Sequence, residues 1–270
     1  MNSATTNKCI GFIGAGVMGS SIIKSLLSAS VKPEQICVNE KSEERARQIK
    51  EQYKINLKSI GEIGQSCDVI FLAVKPQDLE AMLSELSPSL SNRSLIISIA
   101  AGKTTKFIEG NLKTKNAVIR VMPNTPAQIG KGVSAVSAGS SVSIDDLNLA
   151  KELLSASGVV VEVAESDQDA VTALSGSGPA YFFKFVEVMI KSGEQMGLTT
   201  EIATQLAIGT IAGSAAMLQE SGLDAQTLRK NVTSPNGTTA AALDVFDKKD
   251  IEKMISEAMA AAKKRAQELA

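Results

Sequence analysis

The chain has 270 residues, a formal net charge of −1, 44% hydrophobic residues and no histidine. That length supports a substantial core and about two domains, and the near-neutral charge with 3% aromatic residues offers no basic footprint or stacking platform for nucleic acid. The missing imidazole excludes Ser-His-Asp and Cys-His nucleophile systems, histidine-ligated zinc and a histidine proton donor, so any enzyme built here uses another proton source or a substrate needing little help.

The start, MNSATTNK, lacks the basic-then-apolar layout of a signal segment, and no apolar run approaches the ~18 residues that span a bilayer. A cytoplasmic location with no membrane partner is therefore expected. The densest basic run, KKR at 263–265, fits a solvated helix face near a C-terminus. Cys9, Cys37 and Cys67 are odd in number, show no CxxC spacing and lie within or beside apolar runs. They read as buried reduced thiols, with no disulfide frame and no metal site.

In chain order, short β-rich runs occur at KCIGFIG (8–14), QICVN (35–39), DVIFLAV (68–74), SLIISIA (94–100), AVIRVM (117–122), VSAVS (133–137) and VVVEV (159–163). Segments with helical spacing separate several of them, such as Ile22, Ile23, Leu26 and Leu27, then Leu79, Met82, Leu83 and Leu86. Runs apolar on both faces predict strands sandwiched between helices, hence a doubly wound parallel sheet of the α/β class. The last runs are too close together for a helix in every crossover, which leaves room for a different pairing.

Beyond about residue 165 the strand-like runs stop. Helices are predicted at 180–196, 200–220, 224–231, 238–247 and 248–268, broken at GSGP, GLTT, SGLD and SPNG. This gives a first domain over 1–164 and an all-helical second domain over 165–270. Ile202 to Met217 carries Ala and Gly on nearly every side and is expected to be buried all round, most easily against a second subunit.

GFIGAGVMG (11–19) is a G-x-G-x-x-G between a strand-like run and a helical one. Gly14 suits the tight turn, Gly16 lets a pyrophosphate approach the backbone, and Gly19 lets helix pack on strand, with the anion at the helix N-terminus. Dinucleotide binding follows from that context. Glu40 stands where the fingerprint places an acidic residue on the ribose hydroxyls, which argues for NADH over NADPH. Lys41 and Arg45 pull the other way, and Glu40 equally suits the first turn of the next helix.

AVKPQ (73–77) and IAAG (99–102) follow buried strands, where an open α/β sheet presents its ligand crevice. Ala73, Ala100 and Ala101 leave room there, and Lys75 reads as positioning a loop rather than as a catalytic ammonium. MPNTPA (122–127) is either a rigid extended loop or a turn. LSGSGPAY (174–181) opens the long helix, with Pro179 at the first position and Ser177 or Gly178 as cap.

VTSPNGTTAAAL (232–243) reads as a turn at Pro235, Asn236 and Gly237, with a helix starting at Thr238 or Thr239. A cap needs one hydroxyl residue. Thr233, Ser234, Thr238 and Thr239 together make a cradle of hydroxyls and free amides suited to a carboxylate.

In this order and at these separations, GFIGAGVMG, AVKPQ, SIAAG, RVMPNTPA, LSGSGPAY and TSPNGTT resemble the pyrroline-5-carboxylate reductase family over nearly the whole chain. The resemblance implies a Rossmann domain followed by an all-α dimerisation domain that interlocks with its twin. It implies a dimer or a higher oligomer of dimers, and reduction of 1-pyrroline-5-carboxylate to L-proline with NADPH or NADH. Carried over by position, coenzyme contacts fall on Gly14, Ala15, Gly16, Val17, Met18, Gly19, Glu40, Ala73, Val74, Lys75, Pro76, Ile99, Ala100 and Ala101. Substrate contacts fall on Ser234, Gly237, Thr238 and Thr239, with Glu165 and Asn231 as neighbours.

Two positions depart from the family pattern: Asn236 stands where a second glycine is usual, and Glu40 replaces the small or hydroxyl residue often found in NADPH-preferring members, which leaves coenzyme preference open with a lean toward NADH. An iminium already carries the charge that draws hydride to carbon, so the lack of histidine is no obstacle. Thr239 is assigned beside the ring nitrogen, where its hydroxyl orients the imine.

Two other readings stay open on sequence grounds. A β-hydroxyacid dehydrogenase would carry a lysine on the first long helix with an asparagine four residues on; Lys184 is followed at that spacing by Val188. A non-catalytic dinucleotide sensor would bind coenzyme without turnover.

Overall fold

The computed structural model describes residues 7–269; most of the segment read for a signal layout, residues 1–6, lies outside them. The described chain forms two compact units, one reaching to Ser177 and taking in the last residues from Ala262, the other Gly178–Ala261.

The first unit contains β1 (Ile10–Ile13), α1 (Val17–Ser28), β2 (Ile36–Asn39), α2 (Glu43–Tyr53), β3 (Asn56–Leu57), α3 (Ile60–Ser66), β4 (Val69–Leu72), α4 (Leu79–Leu86) and β5 (Leu95–Ser98). It continues with α5 (Thr105–Gly110), β6 (Val118–Met122), β7 (Gly132–Ala138), α6 (Ile144–Ser155), β8 (Gly158–Glu162) and α7 (Gln168–Val171). All seven predicted strands are present. The eighth, β3, has two exposed residues and no apolar run to announce it.

The strands lie in the order β3-β2-β1-β4-β5-β6-β7-β8. Every pairing is parallel except β6 with β7, which is antiparallel because only a short 3-10 turn, Thr125–Ile129, connects them. The α6 crossover then restores parallel pairing of β8 on β7. Strand side chains alternate between two cores. Ile10, Phe12, Val69, Phe71 and Ile97 face α1, α2 and α6. Ile13, Ile70, Leu72, Ile96 and Val118 face α3, α4 and α5. Phe12 and Phe71 stack at 4.6 Å between ring centroids. A sheet wound on both faces in the order 3-2-1-4-5-6 has its crevice at the carboxyl ends of β1 and β4, where the connections diverge.

The last strand departs from the expectation of a fully buried run. β8 is an edge strand, and Val159 and Val161 are exposed.

The second unit holds α8 (Gly178–Gln195), α9 (Thr200–Glu220), α10 (Ala225–Asn231) and α11 (Thr238–Lys248), and α12 (Ile251–Glu268) begins within it. The predicted helices are found to within three residues. Gly193 lets α8 approach α9, since a Cβ there would lie 3.1 Å from the Ala203 methyl. The expectation that α9 is buried all round does not hold within one chain. Only Ala203 and Ala207 are buried, while Ile202, Leu206, Ile208 and Met217 are exposed. The expectation that no segment is apolar enough to cross a membrane also needs correction. By length and mean hydropathy alone α9 meets that requirement, because alanine, glycine and isoleucine fill it and charges occur only at its ends.

Candidate active site

Among the described helices, two have glycine at the cap position and no side-chain cap. One is α1, capped by Gly16; the other is α11, capped by Gly237. By contrast, Ser42, Ser59, Thr104, Ser143, Thr199 and Asp224 each accept a backbone N–H at the starts of α2, α3, α5, α6, α9 and α10. A helix N-terminus presents amides with no intrahelical acceptor and a positive dipole end, so a bare one is suited to an anion.

At α1 the three glycines have separate duties. Gly14 has φ +89°, and a Cβ there would lie 2.7 Å from the Ala73 carbonyl oxygen. Gly16 faces open space. Gly19 packs α1 against the β1 end, with a Cβ position 3.0 Å from Gly14 O and 3.3 Å from the Ala73 methyl. The first amide to bond back into the helix is Ser20, to Gly16 O at 3.0 Å, so the amides of Val17, Met18 and Gly19 point out of the helix end.

Glu40, just past β2, is built into this loop. Its carboxylate accepts Ala15 N–H at 2.9 Å and Ser42 N–H at 3.0 Å. Arg45 is equally occupied: its Nε donates to Ala15 O at 2.7 Å and its Nη2 to Ser20 Oγ at 3.1 Å. Ala73 and Val74 follow β4, with Ala73 N–H bonded to Ile13 O at 2.8 Å. Lys75 is exposed and precedes the Pro76–Asp78 turn. Ile99, Ala100 and Ala101 follow β5, Ala100 buried and Ala101 exposed. The coenzyme residues read from sequence thus gather at the carboxyl ends of β1, β2, β4 and β5.

At α11, Gly237 N–H closes a turn on Ser234 O at 3.0 Å, and Asn236 takes φ +58°. Asparagine accepts that left-handed backbone better than most residues, so the turn survives the loss of the second glycine. Ala241 N–H bonds to Gly237 O at 3.1 Å, which leaves the amides of Thr238, Thr239 and Ala240 without helical acceptors. Thr239 is half-buried, whereas Ser234, Thr238 and Asn231, the last residue of α10, are exposed. The Thr233 hydroxyl is spent on Arg229 O at 2.6 Å.

Glu165 lies in the first unit and is engaged there. Its carboxylate accepts Thr105 N–H and Thr105 Oγ1, both at 2.7 Å, and faces buried Arg120 at 3.6 Å. Arg120 also faces Asp169 at 3.7 Å. These bonds tie the segment after β8 to β6 and α5.

Sequence reasoning left Asn124 unassigned, although the prolines around it were noted. It is buried and links two motifs: Nδ2 donates to Ser175 O at 3.2 Å, and Oδ1 accepts Val133 N–H at 2.8 Å. Ser177 and Gly178 are not the N-cap expected. Thr172–Gly176 forms a π-turn, closed by Ser177 N–H on Thr172 O at 2.8 Å, and Ser177 has helical dihedrals. Such turns concentrate at functional sites. Lys184 is exposed and pairs with Glu187 at 2.9 Å.

Fold and loop together define a Rossmann-type dinucleotide-dependent oxidoreductase with an appended helical unit. Residues 165–269 match the family described as pyrroline-5-carboxylate reductase dimerisation, and residues 9–102 match the one described as NADP oxidoreductase, coenzyme F420-dependent. A pyrroline-5-carboxylate reductase from Corynebacterium melassecola is 39% identical, over 96% of this chain and 98% of its own. The solved structure of one from Coxiella burnetii superposes with a TM-score of 0.91 at 36% identity, covering 97% of this chain and 98% of its own. That of Plasmodium falciparum pyrroline carboxylate reductase with NADP bound gives 0.88 at 31% identity, covering 98% and 99%. The chain belongs to the pyrroline-5-carboxylate reductase family, NAD(P)H-dependent oxidoreductases acting on the CH–NH group, and its helical unit serves self-association.

Proposed function

We propose that this protein reduces 1-pyrroline-5-carboxylate to L-proline, the last step of proline biosynthesis, in the cytoplasm. The first domain, 1–164, takes the coenzyme; the second, 165–270, takes the substrate and pairs with a twin, the dimers assembling further. The observation that carries the reading is the second bare helix start, at Gly237: free amides suited to a carboxylate in a chain that already has a dinucleotide loop.

When bound, the reduced nicotinamide supplies the hydride that becomes the new C–H bond. The chain's residues do the rest. Gly16 leaves space for a pyrophosphate against the amides of Val17 to Gly19. Ala73, Val74, Lys75 and Pro76, with Ile99, Ala100 and Ala101, would hold the ribose and nicotinamide. Glu40 is poised for ribose hydroxyls and repels a 2′-phosphate, while Arg45 is held on Ala15 and Ser20, so NADH is the preferred coenzyme.

The amides of Thr238 and Thr239, with Ser234 Oγ and the Gly237 turn, grip the substrate carboxylate; Asn231 borders it. Glu165 acts at one remove, by fixing the segment that opens the second domain. The Thr239 hydroxyl stands at the ring nitrogen, where it orients the imine and passes a proton with solvent. Orientation of two bound reactants then suffices for the reaction.

The test is to follow NADH and NADPH oxidation in parallel with 1-pyrroline-5-carboxylate and with small 3-hydroxy acids run in reverse. Turnover on the pyrroline, faster with NADH, is expected. Coenzyme binding with no pyrroline turnover overturns the reading, and turnover on the hydroxy acids alone replaces it.

A further inference from the structure

The three cysteines, far apart in sequence, meet in space. Cys9 precedes β1, Cys37 lies in β2 and Cys67 directly follows α3. Cys9 Sγ is 3.2 Å from Cys67 Sγ and 3.8 Å from Cys37 Sγ, and the three sulfurs all lie within 4.8 Å of one another. Cys37 and Cys67 are buried, whereas Cys9 is only half-buried, so the cluster has a solvent-facing side. Gly11, paired with Cys37 across β1 and β2, leaves the space, since a Cβ there would lie 3.0 Å from Cys67 Sγ. The cluster sits at the amino ends of the strands, opposite the coenzyme crevice.

We propose that Cys9, Cys37 and Cys67 form a site for one soft, closed-shell metal ion, zinc(II) or copper(I), which fastens the entries of β1, β2 and β4 together.

Three observations favour this over three idle thiols. Tetrahedral coordination at a zinc–sulfur distance of ~2.3 Å sets ligand sulfurs ~3.8 Å apart, inside the spacing of this cluster. Sulfur-only donor sets select zinc and copper(I) over harder ions. Charge is also provided for: Lys58 Nζ donates to Ser66 Oγ at 3.0 Å, and that hydroxyl lies 3.9 Å from Cys67 Sγ. With three thiolates and a divalent ion, that ammonium makes the site neutral. Binding releases the thiol protons to solvent, and the position beside Cys9 takes a water or an added thiol as fourth ligand. The absence of CxxC spacing hid the site, because its ligands come from three separate elements.

The test uses the full-length protein, reduced and stripped by chelator, then titrated with cobalt(II) as a spectroscopic stand-in and separately with zinc and copper(I). One metal per chain is expected, with thiolate-to-cobalt charge-transfer bands. Zinc at a hundredfold excess over its dissociation constant should raise Tm by roughly 5–10 °C, reversibly by chelator. Cys9→Ser, the least buried of the three, should weaken cobalt binding at least ~10-fold while leaving reductase turnover unchanged. Equal cobalt affinity in the wild type and Cys9→Ser, or a zinc-independent Tm, overturns the proposal. So does a preparation whose only response is a Cys9–Cys67 disulfide under air.

Discussion

In the proposed mechanism, Thr239 is the residue on which the chemistry turns. Thr239→Val keeps shape and helix start but removes the hydroxyl. If the lost bond to a charged ring nitrogen is worth ~1.5–3 kcal/mol, turnover falls roughly 10- to 150-fold with coenzyme binding nearly unchanged; steady-state kinetics with a coenzyme titration checks both. An unchanged kcat removes Thr239 from the ring nitrogen. In the same proposal Glu40 governs a different quantity, the coenzyme preference. Its carboxylate bridges the amides of Ala15 and Ser42, so Glu40→Ser should raise the NADPH-to-NADH ratio of kcat/KM by about 10-fold or more. A ratio that stays put would mean Glu40 serves only the loop. The place of Glu40 just past β2 was legible because the fingerprint fixes its distance from the glycines, but its bond to Ala15 was not, since nothing local joins residues 25 apart.

At the scale of elements, local signals carried most of the fold. Helix α9 was predicted at its observed bounds because Thr199 caps it and Gly222 follows close behind its end. β3 was missed because two exposed residues carry no period. The GSGP break holds the end of a π-turn where the residues suggest a cap, since a π-turn leaves no mark on hydrophobic spacing. Of the candidate site, the two glycine-capped helix starts were readable from their residues. The Asn124–Ser175 link was not, because a contact 51 residues long has no local trace. The cap of α10 offers a pH test. Asp224 accepts Thr227 N–H at 2.7 Å, which holds its carboxyl below the usual range. A depressed carboxyl stabilises the fold above its unfolded value near 3.8, and the contribution disappears as pH falls through the lower folded value. Asp224→Ala should therefore lower Tm by about 2–4 °C at neutral pH. The gap between variant and wild type should close in acid; a constant gap would assign the loss to something other than the charged cap.

At the scale of the whole molecule, a single chain leaves its helical unit unfinished. Ile202, Leu206, Ile208 and Met217 on α9 are exposed, and the matched family is one of dimerisation. Ile208, 53% exposed, becomes a sensitive position once a twin covers it. Ile208→Arg should shift the sedimentation equilibrium from dimer toward monomer, because a guanidinium in an apolar interface costs several kcal/mol. A variant that sediments as the wild type would place the contact on another face. The bare flank of α9 also bears on biogenesis: covering it with a sibling, as a dimerisation unit does, is a bimolecular step that slows where expression is sparse.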